Sequence, residues 1–476
     1  MKRFGLVLFF TLPLFSFHRP LWAEDSVPLR TQIEALASQY EFGEVDSGIY
    51  IQDLNSGEVV FSKNHDLLLN PASNTKILTA LAALSLFGPD FRFKTQLLGT
   101  ASKEKGTLET LTLKGWGDPY FSTERLEEMV RTLKTKGIRR VRDVGVDGSY
   151  FDGEDFPGQM QGRQRDAVFN CNVGAVSIDH NLLEVEITPG EKLRTPATVE
   201  AKPPLPLIPL ENEVLTSRKK GRIIVKSSAS EEDLKVYTSG RIALSSGPML
   251  YRVSIHHPLK LAGLRLLEAL KNQGIEAPSE IPQGCVRSKE PVLVESLSPS
   301  LSEILQEMNK NSDNFISEQI TKSLGAQFGG LPGSTEKGVR VILKRLKELG
   351  IKTEGIELEN GSGLSKKNRL RAKTLAEVLK KAYDDAKIRS HFMPSLSVMG
   401  VDGTLRRKFR NSDLAGRFLG KTGTLAGVSS LSGYVFPRNP DKVHPYIFSF
   451  ILNGRGKDFR KEKEFSHILL EVLMNE

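Results

Sequence analysis

Apolar and polar positions change rhythm several times along this chain. After the basic pair Lys2-Arg3, residues 5–17 are mostly apolar, and Leu21-Trp22-Ala23 then meets the acidic Glu24-Asp25. The apolar run is about 13 residues, short of the roughly 20 that a spanning helix needs, so the pattern predicts a cleavable signal peptide over residues 1–23. From Pro28 to Tyr40 apolar residues recur at helical spacing, and "SGIYIQDLNSGEVVFSKN" from Ser47 predicts two short strands around Asn55-Ser56-Gly57. Between Thr75 and Phe87, Ile77, Leu78, Leu81, Leu84 and Leu86 lie nearly all round the helical wheel. Such a helix belongs in the middle of a domain, not on its surface.

From about Phe91 to Cys285 the texture shifts to many short strands divided by polar turns, as in "FRFKTQLLGT", "GTLETLTLKGWGD", "RRVRDVGVDGSYF", "NLLEVEITPG", "GRIIVKSS" and "MLYRVSIHH". Pro203 to Pro209, "PPLPLIP", reads as a stiff extended connector, and Lys219 to Lys235 as a surface subdomain. Beyond Ser298 helical patterns return in four segments, followed by the strand patterns "RFLGKTGT", "VSSLSGYVF" and "HPYIFSFILNG" and a last helix over Phe459 to Asn475. The expected fold is α+β: an antiparallel sheet flanked by helices, built from residues 24–90 and 286–476, with residues 91–285 inserted as a mostly β region of one or two subdomains.

Composition narrows the function classes. The 476 residues are 39% hydrophobic and 26% charged, ordinary globular values, with a formal net charge of +9. Cleavage after Ala23 would remove Lys2, Arg3 and Arg19 and no acid, leaving +6. A moderately basic chain suits a polyanionic cell envelope and peripheral contact with a membrane surface. Its Lys and Arg residues are dispersed, however, and form no aromatic-interleaved stripe, which argues against nucleic acid. Cys171 and Cys285 are too few for a disulfide scaffold, and whether they pair stays open. His256-His257 lacks the spaced partner that a zinc site needs, so no metal and no cofactor is expected.

Three short motifs remain. Ser73 and Lys76 in "NPASNTKILTALAALSLFG" stand at the mouth of the apolar helix. Taken alone, Ser73 reads as a helix N-cap, and Ser-x-x-Lys recurs at Ser102/Lys105, Ser217/Lys220 and Ser334/Lys337. Ser312-Asp313-Asn314 equally suits a polar turn ahead of a helix. Lys421-Thr422-Gly423, followed by Thr424, is rarer: Lys-Thr-Gly is expected about 0.1–0.2 times in such a chain. The motifs run in the order Ser-x-x-Lys, Ser-x-Asn, Lys-Thr-Gly, on a helix mouth, an interhelical loop and a strand.

In that set the sequence resembles the penicillin-recognising serine enzymes. Ser73 and Ser312 are 239 residues apart, an interval similar to that of the D-alanyl-D-alanine carboxypeptidase/endopeptidase family of penicillin-binding proteins (penicillin-binding protein 4-like, low-molecular-mass class C). The segments "GWGDPYF" at Gly115, "DGSYFDG" at Asp147, "ENGSGLS" at Glu359 and "GVDGTLRRKF" at Gly400 also resemble that family, so the likeness spans essentially the whole mature chain. "FNCNVGAVSID" at Phe169 departs from it, with Asn172 and Gly174 at positions where the family shows other residues. The resemblance implies an exported enzyme of the periplasm or cell envelope, acting on peptidoglycan stem peptides and cross-links and acylated by β-lactams. It leaves the oligomeric state open.

The chemistry matches the residue types. A Ser hydroxyl needs a base, and Lys76 follows one helical turn later; burial and a second cation, Lys421, would favour its neutral amine. The resemblance implies an oxyanion hole from the backbone N–H groups of Ser73 and Thr424, a proton shuttle at Ser312, and a substrate-amide contact at Asn314. It further places the substrate's terminal carboxylate on Lys421, Thr422 and Thr424, beside Gly423. Asp402 and Arg406 read as salt-bridged turn residues or as lining of the site, and Trp116 as core. Two other readings stay open: a serine β-lactamase, which would need a deacylating Glu or a Tyr-x-Asn motif, and a non-catalytic penicillin-binding envelope protein.

Overall fold

The computed structural model describes residues 28–39, 45–155, 172–228, 230, 234–280, 289–412, 414–454 and 459–476. The expected signal peptide, Cys171 and Cys285 lie outside the described residues. The protein is α+β, as its sequence patterns predict. Its largest sheet has six strands in the order Ser397–Val398, Phe418–Leu425, Val428–Val435, Tyr446–Asn453, Asp46–Asp53 and Val59–Lys63. Every neighbouring pair is antiparallel. The early hairpin thus joins the last strand, Asp46 lying opposite Asn453, and the two ends of the chain close one sheet.

Alternation along the strands sends apolar side chains to both faces. On Tyr446–Asn453, Ile447 and Ile451 enter one core while Phe448, Phe450 and Leu452 enter another with Phe465, Leu469 and Ile33 from the terminal helices Arg460–Asn475 and Leu29–Gln39. The first core surrounds the helix Thr75–Phe87, buried from Thr75 through Leu84 as its all-round apolar pattern requires. Around it stand Leu301–Lys310, Asn314–Gly329, Thr335–Glu348, Ala372–Asp384 and Ala386–Ser395, the last a helix that the sequence patterns did not single out.

The inserted region has a core of its own, in which every fully buried apolar residue lies between Leu97 and Ile275. It carries a four-stranded sheet, Val292–Leu297, Lys94–Ala101, Thr107–Gly115 and Arg140–Asp147, and two three-stranded sheets. Three differences from the sequence expectation emerge. Val292–Leu297 pairs with Lys94–Ala101, so the returning strand belongs to the insertion's sheet and not to the catalytic segment expected from residue 286. The edge of that sheet is supplied by the segment that leads back to the first core. Two amphipathic helices, Thr123–Thr135 and Pro258–Asn272, accompany the strands, burying Leu126, Met129, Val130 and Leu133 on one and Leu261, Leu266 and Leu270 on the other. Finally, "PPLPLIP" is no extended connector: Ile208 N–H donates to the Leu205 carbonyl at 3.1 Å in a turn. The Leu205 and Ile208 side chains of that turn are both buried.

Candidate active site

Ser73 lies in a short 3₁₀ turn, Ala72–Asn74, directly ahead of the helix Thr75–Phe87. Asn74 is the capping residue, and neither end of this turn carries a side-chain cap bond. The N-cap reading of Ser73 therefore fails, and the hydroxyl is left for other work. The turn is held elsewhere: Ala72 N–H donates to Asn70 Oδ1 at 2.8 Å, and Thr75 Oγ1 donates to the Ala72 carbonyl at 2.9 Å. Ala72 itself has φ +46°, a left-handed conformation unusual for a residue with a Cβ and one that clusters at functional sites.

Lys76 is fully buried, and its Nζ lies 3.3 Å from Ser73 Oγ, 2.7 Å from Asn314 Oδ1 and 2.7 Å from the Ser362 carbonyl oxygen. The Ser362 carbonyl comes from the "ENGSGLS" segment, which folds tightly over the start of the helix. At Gly363, φ +83°, a Cβ would overlap the Ala72 carbonyl, so only glycine permits this approach. Asn314 is the first residue of the helix Asn314–Gly329, whose N-cap Asp313 accepts from Ile316 N–H at 2.8 Å. Asn314 thus presents its amide oxygen, the accepting end of the group, to Lys76.

Lys421 reaches the same centre from the strand Phe418–Leu425. It too is fully buried, and its Nζ donates to Ser312 Oγ at 2.8 Å and to the Thr422 carbonyl at 2.9 Å. Burial, and after it repulsion from Lys76, hold its amine well below the ordinary lysine range. Ser312 has φ +58°, which presents its hydroxyl from the turn before Asn314. On the same strand, a Cβ at Gly423 would lie 2.7 Å from the Pro71 carbonyl oxygen and 3.0 Å from Ser73 N. The missing side chain lets this strand press against the serine turn. Thr422 Oγ1 donates to Thr404 Oγ1 at 2.9 Å, and Thr424, two residues on along the strand, is exposed.

One residue at this centre carried no signal in the sequence. Glu318, one turn beyond Asn314, is fully buried and accepts Ser362 N–H through Oε1 at 2.8 Å. Burial pushes its carboxyl pKa up, with the Ser362 bonds and Lys76 opposing. Glu318 sits in ordinary polar surroundings in the sequence, Ser362 in the family-like "ENGSGLS" segment, and only the fold brings both behind Lys76. Of the weaker candidates, Asp402 pairs with Lys310, Arg406 lines a cleft, and Trp116 is half-buried between Lys94 and Lys114, at 4.5 and 4.8 Å from its ring centre. His257 holds the N-cap position of the helix Pro258–Asn272 without a side-chain cap bond. The divergent segment meets the catalytic side: Gln319 Nε2 donates to the Gly174 carbonyl at 3.0 Å and Ser177 Oγ at 2.8 Å.

A helix-mouth serine with a lysine one turn on, faced by Ser-x-Asn from one side and Lys-Thr-Gly from a strand on the other, is the architecture of the penicillin-recognising serine peptidases. The chain belongs to the D-Ala-D-Ala carboxypeptidase 3 (S13) family, whose sequence model matches residues 29–471. It is 30% identical over 446 residues to the D-alanyl-D-alanine carboxypeptidase of Actinomadura sp. (strain R39), covering 90% of this chain and 81% of that one. Among solved structures, penicillin-binding protein 4 (dacB) of Haemophilus influenzae superposes with a TM-score of 0.80 at 23% identity, covering 93% of this chain and 99% of that one. A second structure of that protein, in complex with a novel β-lactam, superposes with a TM-score of 0.76 at 22% identity, over 94% of this chain and all of that one.

Proposed function

We propose that Ser73 is the nucleophile of an exported serine-type D-Ala-D-Ala carboxypeptidase that also cleaves peptidoglycan cross-links. The observation that carries this reading is the approach of Lys76 Nζ to 3.3 Å from Ser73 Oγ, with Lys421 and Ser312 paired at 2.8 Å across the same site. In its neutral form Lys76 takes the Ser73 proton as Oγ attacks the carbonyl carbon of the penultimate D-alanine. The backbone N–H groups of Ser73 and Thr424 receive the developing oxyanion; one such donor is worth roughly 10²–10³ in rate. As the C–N bond breaks, the Ser312 hydroxyl passes a proton to the leaving amine and is resupplied from the neighbouring lysines. Water then cleaves the acyl ester and returns Ser73.

Asn314, its oxygen held by Lys76, offers its NH₂ to a substrate carbonyl. Lys421, Thr422 and Thr424 receive the terminal carboxylate. In the free enzyme the Lys421 amine is held low by burial and by Lys76, and an arriving carboxylate favours its protonated form. A β-lactam, whose ring carbonyl and carboxylate mimic the same two groups, acylates Ser73. No helix among the described residues is long and apolar enough to cross a membrane; the N-terminal pattern of residues 1–23 supports export.

The deciding experiment sets turnover of a D-Ala-D-Ala peptide beside the lifetime of a fluorescent penicillin adduct. The reading expects D-alanine release together with a long-lived adduct on Ser73. Rapid loss of the adduct would mark a β-lactamase, and a lasting adduct without D-alanine release a penicillin sensor.

A further inference from the structure

Beside the strand that bears Thr422 lies an open cleft of about 370 Å³, lined by Asn311, Gly403, Thr404, Arg406 and Arg407. Asn311 directly precedes Ser312, and Thr404 receives the hydrogen bond from Thr422 Oγ1, so the cleft continues the site past the carboxylate end. The loop that forms it is built firmly. Asp402 accepts Val398 N–H at 2.7 Å and pairs with Lys310, while Thr404 N–H donates to Ser397 Oγ at 3.2 Å. At Gly403, φ +55°, a Cβ would come within 2.7 Å of the Lys310 carbonyl, so glycine lets the loop sit against the end of the helix Leu301–Lys310.

Charge within this loop is unbalanced. Lys310 neutralises Asp402, whereas neither the Arg406 nor the Arg407 guanidinium has an ion pair or a hydrogen bond among the described residues. Two unengaged guanidinium groups therefore border a polar cleft that opens next to the position assigned to the leaving amine. A leaving D-alanine ends at its own carboxylate and has nothing to place there. The leaving amine of a cross-link is different: it belongs to a second stem peptide, whose chain continues and carries further carboxylates.

Resting on the function proposed above, we infer that this cleft is a leaving-side subsite for an acidic peptide, with Arg406 and Arg407 as specificity-determining residues that favour cross-links over terminal D-alanine. Guanidinium groups suit this task because their planar donor pairs match carboxylates. Both arginines are exposed, so each contact is worth roughly a two- to fivefold change and is weakened by salt.

The test compares catalytic efficiency of the purified chain on three substrates: a stem pentapeptide ending in D-Ala-D-Ala, a cross-linked dimer, and the same dimer with its leaving-side carboxylates amidated except the one beside the scissile bond, which Lys421 receives. Wild type should cleave the acidic dimer about 5- to 20-fold better than the amidated one, through KM, with the margin shrinking at 0.5 M salt. In Arg406→Gln/Arg407→Gln the ratio of dimer to pentapeptide efficiency should fall by a similar factor, and Arg406→Lys/Arg407→Lys should recover part of it. Equal wild-type efficiency on the acidic and amidated dimers, a dimer that wild type does not cleave, or an unchanged ratio in the Gln variant would each overturn the inference. The first comparison uses wild type alone, so it stands even if a variant misfolds. Failure of wild type to release D-alanine or to take up penicillin would instead sink the parent reading.

Discussion

Glu318 Oε1 accepts the amide hydrogen of Ser362 at 2.8 Å, and the carbonyl of that same Ser362 accepts Lys76 Nζ at 2.7 Å. A buried carboxyl thus sets the position of the peptide that holds Lys76, the base proposed above. Glu318 is a positioning residue, and Glu318→Ala should slow penicillin acylation by about tenfold while costing on the order of 1–3 kcal/mol for the unsatisfied amide. Glu318→Gln, which keeps an acceptor, should restore most of the acylation rate. Stopped-flow labelling of the two variants checks this, and equal slowing in both would contradict a positioning role.

The same carboxyl has a pH signature. Burial raises its folded-state pKa above the unfolded value, so the folded state holds the proton to higher pH. Its contribution to stability is full below the unfolded pKa and is lost as pH rises through the folded one. Wild type should therefore lose stability relative to Glu318→Gln as pH climbs from about 4.5, read as the difference in Tm between the two proteins.

Ser73→Ala should abolish covalent penicillin labelling and D-alanine release together. Its fold should be unaffected within about 1 kcal/mol, because the Ser73 hydroxyl does not cap the helix. Gel fluorescence and thermal unfolding test both halves, and labelling that persists would remove Ser73 from the chemistry.

Lys421→Met should impair D-Ala-D-Ala peptides far more than their C-terminal amides, by roughly 10- to 150-fold in kcat/KM, the worth of a charge-assisted hydrogen bond. Equal losses on acid and amide, with the pH optimum moved upward, would instead place its effect on Lys76. The substitution should also stabilise the free protein by about 1 kcal/mol, since it removes a buried cation facing Lys76. A lysine pKa lowered by folding makes native stability rise with pH toward the unfolded value, so the gain should be largest at low pH and fade on raising it.

Excision of the insertion should succeed only at the correct joint. Thr95 and Ser296 face each other across an antiparallel pair, so replacing residues 95–296 by an Asn-Gly turn bridges neighbouring backbone. Removal also leaves Gln319 without Gly174 and Ser177, and buried Lys322 without Asp152 and the Glu154 carbonyl. The excised chain with Gln319→Leu and Lys322→Met should stay soluble and take up penicillin. A cut over 91–285, which strands Val292–Leu297 without its partner, should aggregate. A soluble, well-folded 95–296 excision that is inert to penicillin would mean that the insertion completes the site.

Local chemistry written in contiguous residues was legible in the chain itself. Helix burial at Thr75–Phe87 followed from an all-round apolar pattern, the hairpin from Asn55-Ser56-Gly57, and the side chains that meet at the proposed site from three motifs of three or four residues, because a helical turn or a strand pleat fixes neighbours within each motif by geometry alone. Tertiary structure decided everything that depends on residues far apart. It joined Asp46–Asp53 to Tyr446–Asn453, drew Val292–Leu297 into the insertion's sheet, and folded "PPLPLIP" into a turn with Leu205 and Ile208 in the insertion's core. It also set Glu318 behind Ser362 and left Arg406 and Arg407 beside Thr404. A buried carboxyl and an unengaged guanidinium look like any other polar residue in sequence. What distinguishes them is the surroundings that long-range packing supplies, through desolvation for the one and the lack of a counter-charge for the other.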